Sequence, residues 1–273
     1  MTFPILTDRA VLSVRGPDAR DFLQGLLSQD VAALTPAHPL YAGLLSPQGK
    51  TLFALLLFEG EDGAVLVDVA ASQADALARR LSMYKLRKAV EIAAMPELAV
   101  CAAPEAVAGQ PLDPRTAVLG ARWIGAAADG EGADMAAWRA HRLALGVAEA
   151  DELGADALLW LETGADLLNG VSFTKGCYVG QENTARMHHR DRVRRRIVPL
   201  HLAGPEPVSD ATLRDEAGRS VGSVLGAPQG TLALAHLRLE AAAAPILLDG
   251  RPVEVLRPDW LAPAIDAALA GVA

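Results

Sequence analysis

The sequence predicts an α+β protein, with helices and hairpins through its first two-thirds and a small β-barrel at its end. Three observations carry this. Strand and helix signals alternate through the first ninety residues, a hairpin is written at residues 40–58, and after residue 197 short apolar strands follow one another between Gly, Pro and Asp turns. A chain of 273 residues has room for more than one sizeable core.

Taken in order, Val11 to Val14 reads as a strand, and Gly16-Pro17-Asp18 opens a helix carrying Phe22, Leu23, Leu26 and Leu27 at helical spacing. Leu40 to Leu45 and Thr51 to Phe58 are strands joined by Ser46-Pro47-Gln48-Gly49, whose second Pro and fourth Gly suit a type I turn. Ala64 to Val69 is another strand. Ser72-Gln73-Ala74-Asp75 resembles a capping box ahead of a helix with Leu77, Leu81 and Tyr84, and Lys88 to Ala93 returns as a strand. Ala102 to Ala117 is looser, and Gly125 to Gly132 reads as a flexible loop. A helix from about Asp134 to Leu145 carries Trp138 and ends at Gly146. The last strands are Ile197 to Leu202, Val221 to Leu225, Thr231 to Leu237 and Val253 to Leu256. The expected division is therefore 1–196, subdivided near residue 95 into 1–95 and 96–196, followed by a barrel over 197–273.

The formal charge of −8 argues against a nucleic-acid binder. The apolar runs are short, the longest being the seven residues from Leu52 to Phe58, where a membrane helix needs about 20. The N-terminus lacks the marks of a secretory or organelle leader, so the expectation is a soluble, cytoplasmic protein and a monomer. Two cysteines, Cys101 and Cys177, make no disulfide framework and cannot supply the four thiolates of an iron–sulfur cluster. Cys101, in an apolar strand, reads as core.

Cys177 is different. It stands in Asn169-Gly170-Val171-Ser172-Phe173-Thr174-Lys175-Gly176-Cys177-Tyr178-Val179-Gly180-Gln181-Glu182. Gly176 is expected to free the backbone beside the thiol, and the ammonium of Lys175 to favour its thiolate. A buried Cys in a Gly-bounded turn is the plainer reading of the same residues.

Lys175 to Glu182 resembles the K-G-C-Y-x-G-Q-E signature of the YgfZ-type folate-binding family, which is related to the glycine-cleavage T-protein and includes the mitochondrial factor for 4Fe–4S protein maturation. Phe22-Leu23-Gln24-Gly25 to Asp30-Val31, Ser46-Pro47-Gln48-Gly49-Lys50, Tyr84-Lys85-Leu86-Arg87, Thr184-Ala185-Arg186 and Gly218 to Arg238 are similar to further family segments. The resemblance implies T-protein-like subdomains around a central folate cleft, with the Cys177 loop nearby. It implies tetrahydrofolate, polyglutamylated or not, as ligand, and iron–sulfur clients or assembly proteins as partners. It marks Trp138 as a platform for the pterin and Glu162 as acceptor for its donor-rich edge, with Asn169 in the same pocket. It also makes Gly176, Tyr178, Gly180, Gln181, Glu182 and Arg186 the signature loop. No stable metal is expected within one chain, Cys177 being at most a shared cluster ligand.

The chain also departs from that pattern. Phe53 and Ala54 stand near the Asp pair by which the T-protein transfers its one-carbon unit, and Arg9, Ala144 and Trp160 replace other family residues. The leading reading is therefore a tetrahydrofolate-binding factor supporting iron–sulfur protein assembly or repair through Cys177. A folate-dependent one-carbon transferase is the alternative, and a Cys177–His188 or Cys177–His189 hydrolase ranks last. Finally, residues 186–196 hold six Arg against one Asp, a local +5 that leaves −13 elsewhere. If extended, Arg190, Arg192, Arg194 and Arg196 share one face about 6.6 Å apart, suited to a polyglutamyl tail or an acidic partner.

Overall fold

The computed structural model describes residues 3–190, 193–204 and 210–271. Strands Arg9–Arg15, Leu40–Leu45, Thr51–Glu59, Val65–Ala70 and Glu91–Ala94 form one antiparallel sheet. Its spatial order is 40–45, 51–59, 65–70, 9–15, 91–94. Helices α1 (Ala19–Gln24) and α2 (Ala74–Tyr84) cover one face, burying Phe22, Leu23, Leu77 and Leu81 against Leu12, Val14, Leu55, Leu57 and Val67. The alternate residues Leu56 and Phe58 are buried on the other face with Tyr41 and Trp160. Burial on both faces is why residues 52–58 read as one continuous apolar run. No side chain caps α2, so the expected capping box does not form.

A second sheet holds strands Phe3–Ile5, Leu98–Ala103, Ala121–Ala126 and Gly130–Gly132. The first strand of the chain thus belongs here, pairing antiparallel with 98–103 and parallel with 130–132. The segment expected as a flexible loop, Gly125 to Gly132, supplies a strand end and that parallel strand instead. Helix α3 (Met135–Ala144) follows, with Asp134 accepting from Ala137 N at 3.0 Å and Gly146 beyond its end at φ +74°. A one-turn helix α4 (Ala150–Leu153) and helix α5 (Gln181–His189) complete this region.

The C-terminal strands Arg195–Leu202, Thr212–Asp215, Ser220–Gln229, Leu232–Arg238, Ile246–Leu248 and Arg251–Val255 close into a six-stranded barrel. Helix α6 (Ala262–Ala270) places Ile265 in the barrel's core beside Leu261. The short strands at 212–215 and 246–248 were not legible in the sequence.

Between these parts lies a cluster of buried charge drawn from distant parts of the sequence. Asp68 binds Arg9 at 2.6 Å and Arg122 at 2.7 Å, and Glu149 lies 3.1 Å from both Arg115 and Arg122 and 3.6 Å from Arg9. Asp113 holds Arg115 at 2.7 Å, and Glu152 holds Arg142 at 2.9 Å. Four arginines therefore meet four carboxylates, each side chain at most 10% exposed. Burial alone raises the carboxyl of Glu149, but the guanidiniums of Arg9, Arg122, Arg142 and Arg115 overcome it and hold the group well below the ordinary range.

Candidate functional site around Cys177

Three stretches far apart in sequence converge on the Cys177 loop. The ammonium of Lys175 donates to the carbonyls of Gln24, Leu27 and Gln29 at 2.7, 2.7 and 2.9 Å, at and just beyond the end of α1. Ser28 Oγ donates to Gly170 O at 2.6 Å and accepts from Gly43 N at 2.8 Å, and Ser172 N donates to Ser28 O at 3.0 Å. On the other side the loop rests on the hairpin turn, where Gly49 N donates to Ser46 O at 2.9 Å and Asn183 Nδ2 donates to Gln48 O at 3.0 Å.

The contact with the turn is so close that residue 180 has no room for a side chain. Gly180 opens α5 at φ +85°, and a Cβ there would lie 2.5 Å from Ser46 O. A non-glycine residue would carry both left-handed strain and a clash with backbone. Gly176 is the opposite case. It has no positive φ and nothing lies within 4 Å of a Cβ built on it, so the glycine expected to free the thiol is not the one the backbone requires.

Cys177 is exposed, whereas Cys101 is 1% exposed and burial pushes its thiol up to about 11. Gln181, the first residue of α5, accepts from Tyr178 N at 2.8 Å and directs its amide at Cys177 Sγ, 3.8 Å away. That amide can donate to a thiolate. The expectation for Lys175 needs correction, since its three donors are spent on carbonyls and its nitrogen lies 5.3 Å from the Tyr178 ring centre. Its hydrogen bonds brace the loop.

Burial lowers the Lys175 ammonium to about 8. Between about pH 8 and the usual lysine value of about 10.4, the unfolded chain binds more protons than the native one, so stability rises with pH across that window. Urea melts of wild type and Lys175→Met at pH 7.5 and 10 are expected to show this rise in the wild type and its loss in the variant. Equal pH dependence in both would contradict it.

Of the other signature residues, Tyr178 is half-buried against the cluster around Trp160, Glu182 lies in the first turn of α5, and Arg186 donates to Asn183 Oδ1 at 3.0 Å. His188 stacks on Phe173 with ring centres 3.7 Å apart, and among the described residues the hydrogen bond to Cys177 Sγ comes from Gln181, not from His188 or His189.

The residues expected to hold folate are engaged elsewhere. Trp138 is 6% exposed and packed among Leu6, Val11, Val100 and Ala102, with its indole nitrogen buried. The Glu162 carboxylate lies 3.3 Å from His236 on the barrel, and Asn169 donates to Pro114 O at 3.1 Å. A cavity of about 940 Å³ opens between the two sheets, lined by Leu66, Met95, Leu98, Ile124 and five carboxylates, but by none of these three. Trp160 is fully buried and donates to Gly170 O at 3.0 Å, and Arg9 joins the ionic cluster, so two family departures fill the interior.

Among the described residues these arginines do not share one extended face. Arg190 N closes the end of α5 on Arg186 O, and Arg192 lies outside the described residues. Arg194 is exposed just before the strand begins at Arg195. Arg196 turns inward, gripping Asp166 at 2.7 and 2.9 Å and Leu161 O at 3.0 Å.

A family model described as the CAF17 C-terminal β-barrel domain matches residues 194–263. The glycine cleavage system aminomethyltransferase T of Bartonella henselae is similar with a TM-score of 0.71, covering 96% of this chain and 86% of that one at 16% identity. The class is therefore a T-protein-like α+β fold ending in a CAF17-type barrel. The mitochondrial iron–sulfur cluster assembly factors IBA57 of Homo sapiens and Mus musculus are each 34% identical, over 93% of this chain and 84% of their own length. This chain belongs to the IBA57 family. The relatives also correct the cytoplasmic expectation, since both are named as mitochondrial proteins.

Proposed function

We propose that this protein supports the assembly or repair of iron–sulfur proteins and that Cys177 is the group through which it acts. The carrying observation is an exposed thiol on a loop braced by α1, the hairpin turn and α5. Bracing fixes where the sulfur sits without covering it, as a thiolate that binds metal or exchanges with another chain requires. With Cys101 buried, one chain offers one usable thiolate, so any cluster bound there is shared with a partner.

One-carbon transfer in the manner of the T-protein is disfavoured. Phe53 is buried in the first core, and Ala54 packs between two apolar clusters where an acid would be needed. Reduced folate enters this reading through the fold alone. Trp138, Glu162 and Asn169 do not fit it as placed.

The test is complementation. In cells lacking the gene, wild type is expected to restore the activity of cluster-dependent enzymes, and Cys177→Ala to fail while melting normally. Full rescue by Cys177→Ala would remove the thiol from the mechanism.

A further inference from the structure

α2 ends in an exposed knuckle whose makeup differs from the surface around it. Met83, Tyr84 and Leu86 are 66%, 40% and 86% exposed, half of the six large exposed hydrophobic residues among those described. Leu86 follows Lys85, whose carbonyl accepts from Lys88 N at 2.8 Å, and it takes a φ of +47°. Gly and Asn suit that turn position, and a branched apolar side chain aimed at water does not. Both local conformation and solvation oppose this residue, the pattern of a position kept for contact with something else.

The charge around it is equally one-sided. Residues 76–90 carry Arg79, Arg80, Lys85, Arg87 and Lys88 with no Asp or Glu, in a chain of net −8. Among the described residues, none of these five cations has a carboxylate within ion-pair distance, and the neighbouring Glu91 is taken by Arg15 at 2.7 Å. Met, Tyr and Arg are the residue types enriched at interface cores. A hollow of about 680 Å³ lies beside Tyr84 and Leu86, bounded by Asp18 and Lys88.

Position supplies the occupant. The knuckle is tied to the start of α1, where Asp18 Oδ2 accepts from Ala89 N at 2.7 Å. The Cys177 loop is tied to the other end, where Lys175 meets Gln24 O. Six helical residues separate these ties by about 9 Å, well inside a standard interface patch of about 800 Å² per partner. We infer that the Met83–Lys88 knuckle docks an acidic protein surface with an apolar recess, holding that partner so that its metal-bearing region faces Cys177. This rests on the reading of Cys177 given above.

The test uses the full chain in cells lacking the gene. The triple variant Leu86→Asp, Arg87→Glu, Lys88→Glu is expected to restore cluster-enzyme activity at least about fivefold less than wild type, the loss expected when anchor residues are removed. A second variant, Leu86→Asn, suits the positive φ, so it is expected to melt no lower than wild type and yet be less active. A benzoylphenylalanine photocrosslinker at position 83 is expected to capture an acidic iron–sulfur assembly or client protein, with capture lost on Arg87→Glu, Lys88→Glu. Wild-type rescue by both variants would overturn the docking surface. So would sedimentation of wild type, but not the triple variant, with phosphatidylglycerol vesicles, since the knuckle would then bind membrane. Cys177→Ala run in parallel separates the two ideas: its failure beside full rescue by the knuckle variants sinks the docking surface alone.

Discussion

Glu149→Ala is expected to be the most destabilising single change at a charged residue of this protein. It would leave Arg9, Arg115 and Arg122 facing one another in a dry interior with one carboxylate fewer. Removing one partner from a buried ionic set costs about 3–5 kcal/mol, because the charges left behind cannot regain water. For a chain of this size that is a fall of roughly 10 °C in melting temperature. The same substitution should flatten the acid limb of the stability curve. A carboxyl held well below its ordinary value stabilises the fold above about pH 4.3, and that stabilisation drains away as pH falls toward the native value. Glu91→Ala, which breaks only the exposed pair with Arg15, is the control and should change little. A Glu149→Ala melt within about 2 °C of wild type would show that the cluster does not hold the sheets and α3 together.

Gly180→Ala is expected to damage function more than any other glycine substitution in the signature loop. The new methyl meets Ser46 O at 2.5 Å on a backbone at φ +85°, so either the hairpin turn or the start of α5 must move. Strain of this kind costs on the order of 1–3 kcal/mol. The functional loss should exceed that, because Gln181, whose amide points at Cys177, is the next residue. Gly176→Ala, one residue from the thiol but with open space around it, should be close to neutral in both melting and complementation. If Gly176→Ala proved the harmful one, the backbone argument for this loop would be wrong.

Much of the fold could be read from local signals. The hairpin at residues 40–58, the helix capped by Asp134 and most barrel strands follow from period, turn chemistry and caps. What could not be read was how separated residues meet. The ionic cluster draws on positions 9, 68, 113, 115, 122, 142, 149 and 152, each locally ordinary. Its available trace was a lone charge inside an apolar strand, Asp68 in Val65–Ala70 and Arg122 in Ala121–Ala126. Trp138 is packed in the core, a placement that helical spacing fits as well as it fits a stacking residue. The arginine row was conditional on an extended segment through residues 190–196, whereas α5 continues to His189 and the strand starts at Arg195. For Lys175, proximity in sequence suggested the sulfur as its partner, and the fold gives it three carbonyls.

The proposal for Cys177 is tested most directly by treating the native protein with iodoacetamide, mapping the adducts by peptide mass spectrometry, and assaying the modified protein in cluster assembly on an apo-enzyme. One adduct, at Cys177, with loss of activity and an unchanged melting temperature is the result expected, Cys101 reacting only after unfolding. An unmodified Cys177, or full activity after its complete alkylation, would contradict the proposal.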